Sequence, residues 1–291
     1  MKKVSFMNEI KIHVFHTGYV KVSPYLPFGG EDCNILKATG LFIPKRKWLT
    51  LPVSCYLIEH PKGLILFDAG WHRNMSPNGT FNKKAQIKSL GNYLLYKTNQ
   101  GWVEKEQCID EQLMNMGLKP SNLDYVILSH LDCDHANGLS LVKDAKHIMV
   151  SNAELKFANK RNFMTRIRYQ NKWWKDINLL GFDFNGSEGP FKRSYDLFGD
   201  GSILLINIQG HSDGLCALKI INKENGNYVL LYSDGGYATK SWNEMILPGI
   251  IDNKEKGKKS LEWIKKESLN PHCIESLANH DSNVIPHIIK L

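Results

Sequence analysis

The residues best equipped for chemistry sit in one hexapeptide, His130-Leu131-Asp132-Cys133-Asp134-His135. Four of its side chains are imidazoles or carboxylates, in the order H-x-D-x-D-H. These are the usual ligands of Zn, Mn and Fe at catalytic sites. Alternate residues of an extended loop can aim at one point, so His130 and Asp132 are placed to share one metal. Asp134 and His135 are adjacent and diverge toward a second. Ligand-type residues recur downstream, in Gly210-His211, Ser233-Asp234-Gly235 and Asn279-His280-Asp281. A lone His or Asp at a strand end is usually a cap or a turn residue. Recurrence in this order favours a metal centre.

Short apolar runs must carry these groups. Residues 124–129 (DYVILS) read as a strand that runs into the hexapeptide, 203–209 (ILLINIQ) as one ending at His211, 228–233 (YVLLYS) as one ending at Asp234, and 273–278 (CIESLA) as one ending before His280. Loops at the C-terminal ends of buried strands are common places for chemistry in α/β proteins. Upstream, 10–20 reads as a strand, and 52–59 and 63–68 as a hairpin around His60-Pro61-Lys62-Gly63. Residues 216–221 pair with 228–233 across Asn225-Gly226. Residues 146–151 read as a further strand. Helices are expected over 102–116, stopped at Gly117, over 152–160, capped by Asn152, and over 258–269. No repeat of 20–50 residues is visible.

With these residues in place, the chain resembles the metallo-β-lactamase superfamily and, within it, the group around N-acyl-homoserine lactonases. The superfamily pattern H-x-H-x-D-H, then a single His, a bridging Asp and a final His, falls on His130, Asp132, Asp134, His135, His211, Asp234 and His280. Asp68-Ala69-Gly70 matches the early Asp-x-Gly element. The resemblance implies an α/β, four-layer αβ/βα sandwich with metals between the edges of two sheets. It implies one such domain over residues 1–291, holding two divalent metal ions, zinc first and Mn or Fe as alternatives. It also implies hydrolysis of a lactone or ester, an acyl-homoserine lactone being the leading substrate. Two metals lower the pKa of a shared water, and Asp134 is then placed to pass a proton to the leaving group.

Asp132 departs from the pattern, standing where most members have the second His. A carboxylate is harder and negatively charged, which weakens the Lewis acid and tilts metal choice toward Mn or Fe. Tyr237, three residues after Asp234, sits at the offset where the lactonase members place a substrate-facing tyrosine. Donation to a developing oxyanion and packing in the core are both open to it. Asp281 has two readings, orienting His280 or simply shaping a loop. Cys133 reads as a buried thiol pointing away from the metals.

Residues 156–175 (KFANKRNFMTRIRYQNKWWK) hold seven Lys or Arg and no acid, interleaved with Phe157, Phe163, Tyr169, Trp173 and Trp174. An insertion around 156–200 that caps the site is the favoured reading. A nucleic-acid platform on a phosphodiesterase or nuclease-type member of the superfamily is the alternative, and a surface helix whose aromatics pack inward is a third reading. The nucleic-acid reading is the weaker, since the long extra domain of such nucleases is missing, and a small-molecule substrate is expected. The net charge of +8 is otherwise spread over short Lys clusters.

The 291 residues suffice for one large domain, and 42% hydrophobic with 23% charged residues is ordinary for a globular protein. No apolar run reaches membrane-spanning length. The start MKKVSFMNEIKIHVFHTG is basic but lacks an apolar stretch, so a secretory signal is not expected and a cytoplasmic location is. The six cysteines are scattered without a C-x-x-C pair, which fits reduced thiols better than a disulfide framework.

Overall fold

The computed structural model describes residues 9–160 and 162–291. The basic start (residues 1–8) and Arg161 of the basic stretch lie outside the described residues.

Strands β1 (Lys11–Val22), β2 (Leu49–His60), β3 (Gly63–Phe67), β4 (Gln100–Trp102), β5 (Tyr125–Ile127), β6 (His147–Ser151) and β7 (Leu179–Phe182) belong to one sheet. Strands β8 (Ser194–Asp196), β9 (Ile203–Asn207), β10 (Cys216–Ile221), β11 (Tyr228–Leu231) and β12 (Cys273–Leu277) form a second. The C-terminal β13 (Ile288–Lys290) returns to the edge of the first, giving the order β13-β1-β2-β3-β5-β6-β7, with β4 also paired to β1. The second sheet runs β12-β11-β10-β9-β8.

Period-two alternation sends successive side chains to opposite faces and so builds the layers. Along β2, Val53, Cys55 and Leu57 enter a core shared with the helices outside the first sheet. Tyr56 and Ile58 point the other way, into a core between the sheets that also takes Phe67, Leu218 and Leu231. On the second sheet, Ala217 and Leu230 face outward and pack with Leu261 and Ile264 of the helix Lys254–Ser268. The order is helices, sheet, sheet, helices.

Strand direction places the site. β3 and β5 run parallel, as do β11 and β12. β9 and β11 are both antiparallel to β10 and therefore point the same way as each other. Asp68, the hexapeptide, His211, Asp234 and His280 follow β3, β5, β9, β11 and β12, so both sheets empty their chemistry at one edge.

Three local expectations are corrected. The segment 102–116 is not one helix: Trp102 closes β4 against Tyr19 of β1, and the helix runs only over Ile109–Asn115. Its start is fixed where Glu111 accepts from the Cys108 amide at 3.2 Å. The stop is as expected, with Gly117 at φ +73 and Leu118 N–H reaching back to the Leu113 carbonyl at 2.9 Å. The helix Asn152–Ala158 is capped by Ser151, whose hydroxyl accepts from the Glu154 amide, and not by Asn152. The loop after β5 is extended only to Asp132, because Cys133–Ala136 makes a helical turn. No helix among the described residues is long and apolar enough to cross a membrane.

Candidate metal centre

The hexapeptide loop is held by a close backbone approach. Gly138 donates to the Gly70 carbonyl at 2.8 Å and Ala69 donates to the His135 carbonyl at 3.0 Å. A Cβ on Gly138 would stand 2.3 Å from the Ala69 oxygen, so only glycine allows the two loops to meet. Asp68 itself sits at φ +64, and Ser233, the neighbour of Asp234, at φ +46. Left-handed non-glycine residues of this kind gather where the surroundings over-determine the backbone, often at functional sites.

The seven ligand-type residues converge. His130, Asp132, His211 and Asp234 form one group, here the first position, and Asp134, His135 and His280 another, the second; ligand atoms within each lie within 4.8 Å of one another. Asp234 faces both. Its Oδ2 is 3.9 Å from His130 Nε2 and 3.7 Å from His211 Nε2, while its Oδ1 is 3.4 Å from His135 Nε2 and 3.2 Å from His280 Nε2. Asp134 Oδ2 lies 3.4 Å from His280 Nε2.

Each imidazole is anchored through Nδ1. His130 reaches Ser129 Oγ at 2.9 Å, His135 reaches Asp68 Oδ2 at 2.8 Å, His211 the Ile250 carbonyl at 3.1 Å and His280 the Pro52 carbonyl at 2.8 Å. With these partners as acceptors, Nδ1 carries the proton and every Nε2 turns a lone pair to the centre. Ser129 completes the order: its hydroxyl donates to Asp68 Oδ2 and accepts from Ser233 Oγ and His130. Asp68 also accepts from the Ser129 amide and Asn279 Nδ2.

His130 Nε2, His135 Nε2, His280 Nε2 and Asp234 Oδ1 are fully buried with no hydrogen-bond partner among the described residues. Leaving such atoms unsatisfied costs about 1–3 kcal/mol each. A shared cation removes that cost. Ligands about 2.0–2.1 Å from a tetrahedral ion lie roughly 3.3–3.4 Å apart, which is the spacing found around Asp234 Oδ1. The second position therefore fits a metal.

The charges tell the two positions apart. Burial disfavours the imidazolium at His135 and His280, but the carboxylates of Asp68 and Asp234 at the former, and of Asp234 and Asp134 at the latter, hold both above the ordinary value. The second position thus attracts positive charge. At the first, burial and the Arg168 guanidinium lower His211. Burial alone would raise Asp132, yet Arg168 and His130 hold its carboxyl well below the usual range. Arg168 was not anticipated from the sequence. It ends the helix Phe163–Arg168 and forks onto Asp132, Nε to Oδ1 at 2.5 Å and Nη2 to Oδ2 at 2.7 Å.

Tyr237 is buried, with its ring stacked on His280 at 5.0 Å. Burial, then the carboxylates of Asp234 and Asp134, raise its phenol well above the ordinary value, so it stays a donor. Asp281 accepts from the Thr239 and Asn283 amides and shapes its loop, while the Pro52 carbonyl anchors His280. Cys133 Sγ lies 3.7 Å from Asn99 Nδ2 and is not among the clustered donor atoms. A cavity of about 620 Å³ opens over the centre, with Asp132, Asp134, His211 and Tyr237 at its floor and Leu26, Leu36, Phe163, Met164 and Ile167 in its walls.

Comparison with known proteins agrees with this architecture. Residues 48–223 match the metallo-β-lactamase superfamily. An N-acyl homoserine lactonase, AttM, of Rhizobium radiobacter is 25% identical over 235 residues, 79% of this chain and 82% of its own. An N-acyl homoserine lactonase of Bacillus cereus is 29% identical over 203 residues, 68% of this chain and 69% of its own. An N-acyl homoserine lactone hydrolase, solved with N-hexanoyl-L-homoserine bound at its catalytic metal centre, superposes with a TM-score of 0.69 at 24% identity, covering 94% of each chain. With more than half its length matched to the family and seven ligand-type residues gathered at the edge of two sheets, the chain belongs to the metallo-β-lactamase superfamily.

Proposed function

We propose that this protein is a metal-dependent hydrolase that opens the ring ester of an N-acyl-homoserine lactone. The observation that carries the reading is the junction of a buried His/Asp cluster with a cavity whose walls are apolar. The lactonases similar to this chain support the substrate class.

A divalent cation in such a cluster supplies a Lewis acid and an activated water. Asp134, His135, His280 and Asp234 would hold it, with His130, Asp132 and His211 completing the seven-residue set. Zinc suits the two imidazoles of the second position; Mn and Fe suit its two carboxylates. The chain's own groups do the rest. Tyr237 donates to the oxygen that gains charge as the carbonyl becomes tetrahedral. Asp134, at the floor of the cavity, passes a proton to the departing alkoxide. The walls take the acyl tail, exclude water and fix the ring over the centre.

The same reading treats the chain as one domain in which only the front of the expected 156–200 insertion, the helix Phe163–Arg168, caps the site, since Phe163, Met164, Ile167 and Arg168 border the cavity, while β7 and β8 from the rest of it complete the two sheets. A nucleic-acid platform has less support: Phe157, Tyr169, Trp173 and Trp174 are buried, whereas stacking on bases needs exposed rings. A cytoplasmic location suits six unpaired cysteines.

The test is turnover of zinc-, manganese- and iron-loaded protein on acyl-homoserine lactones, aryl esters and bis-aryl phosphates. Lactones should be turned over with the highest kcat/KM. A clear preference for the phosphodiesters would overturn the proposal.

A further inference from the structure

The two halves of the centre are not equally free to take a cation. At the second position the Nε2 lone pairs of His135 and His280 and the Oδ1 of Asp234 meet no donor. At the first, one side chain has already claimed most of the ligand atoms. Arg168 bonds both oxygens of Asp132, donates Nη1 to the His211 carbonyl at 2.9 Å, and sets Nη2 directly against His211 Nε2. His211 Nδ1 is committed to the Ile250 carbonyl, so that Nε2 lone pair is the only one its ring can offer a metal. Only His130 Nε2 and Asp234 Oδ2 remain, two ligands where a catalytic zinc takes at least three from the protein.

We propose that the Arg168 guanidinium stands in for the first cation, so that this chain binds one metal ion tightly, at Asp134, His135, His280 and Asp234. The proposal rests on reading the cluster as a metal centre.

The chemistry of position 132 explains why the pairing arises. An imidazole there would offer one lone pair and no charge. A carboxylate offers two oxygens in the plane of a guanidinium fork and a negative charge to match it. Asp132 and Arg168 are therefore complementary, and the departure at residue 132 is the counterpart of an arginine 36 residues away. The pair is largely dry, with side-chain exposures of 13% and 14%. Arg168 cannot lose its proton, so its charge is permanent. The ring of Tyr169, 5.0 Å from the guanidinium carbon, backs it. A second ion would have to break a buried ion pair and then sit beside a fixed like charge.

The experiment counts ions. Full-length protein, stripped by chelator and re-equilibrated with Zn(II), is measured by elemental analysis and by competition with a chromogenic chelator. One tightly held ion per chain is expected, with any second binding at free zinc about 100-fold higher or more, since it must first break that pair. Arg168→Gln removes the charge and should raise the count to two. If that variant does not fold, the double variant Asp132→His, Arg168→Gln restores an imidazole at the first position and should also hold two. Two tight ions in the native protein overturn the proposal, as does a folded variant of either kind that still holds one. No ion in the native protein would instead overturn the metal-centre reading and this inference with it.

Discussion

Replacing Asp68 by Asn tests whether a carboxylate outside the ligand set governs metal affinity. Asp68 is fully buried and accepts four hydrogen bonds, from Ser129 N at 2.8 Å, Ser129 Oγ at 2.9 Å, Asn279 Nδ2 at 2.9 Å and His135 Nδ1 at 2.8 Å. Asn matches it in shape and tolerates φ +64, so the backbone should persist. Three of the four bonds converge on Oδ2. The amide oxygen best takes that place, and the amide NH2 then faces the Ser129 N–H, leaving both of these buried donors unsatisfied at about 1–3 kcal/mol each. The three surviving bonds lose their charge assistance, a further cost of about 1 kcal/mol. Metal-free protein should therefore lose about 3–7 kcal/mol in urea unfolding. His135 keeps an acceptor for its Nδ1–H but loses the negative charge that raises its basicity, which should weaken metal binding about 10–100-fold. Chelator competition on the folded variant reads the second effect separately from the first. Affinity within about threefold of native, alongside the expected stability loss, would show Asp68 to be a tether between loops and refute the coupling to the metal.

Other consequences are as direct. Tyr237→Phe should keep its metal and its KM but lose about 100-fold in kcat, the effect of deleting one oxyanion donor; unchanged turnover would leave the ring as packing against His280. Each CH2 added to the acyl chain should raise kcat/KM about fourfold while the cavity wall is being covered, and Met164→Glu should flatten that series; a native series that is flat from the start would remove the walls from substrate recognition. His16, hydrogen-bonded to Ser54 Oγ and the Val284 carbonyl, is held below 6.5 chiefly by burial. Its neutral form thus contributes stability that is complete above pH 6.5 and lost as pH falls through that value toward the folded pKa. Denaturant unfolding at pH 7.5 and 5.5 should show His16→Gln with a smaller drop than native; equal drops would count against the assignment.

The convergence of the seven ligand-type residues was legible because they follow strands whose apolar runs are strong, and because their types and order single them out. Their anchors were less so. Asp68 could be matched to an Asp-x-Gly element, but its bond to His135 spans 67 residues and leaves no local trace. Arg168 was hidden in a run of seven basic residues, where nothing in the spacing marks the one that turns inward. β4, β7, β8 and β13 were missed because strands of three or four residues carry too little alternation to register unless an unbroken apolar run extends past them, as it does for β5 and β11. Trp102 went to the helix for the same reason: its periodicity suited one, and the free edge of β1 prevailed.

The Nδ1 anchors of the four imidazoles come from four separate stretches of chain, at Ser129, Asp68, Ile250 and Pro52. None of them depends on an ion. The cage is thus built by the fold before any cation arrives, unlike small zinc modules that are unfolded without metal. Stripping this protein should leave an empty but shaped receptacle, whose affinity is set by how little it must rearrange to be filled.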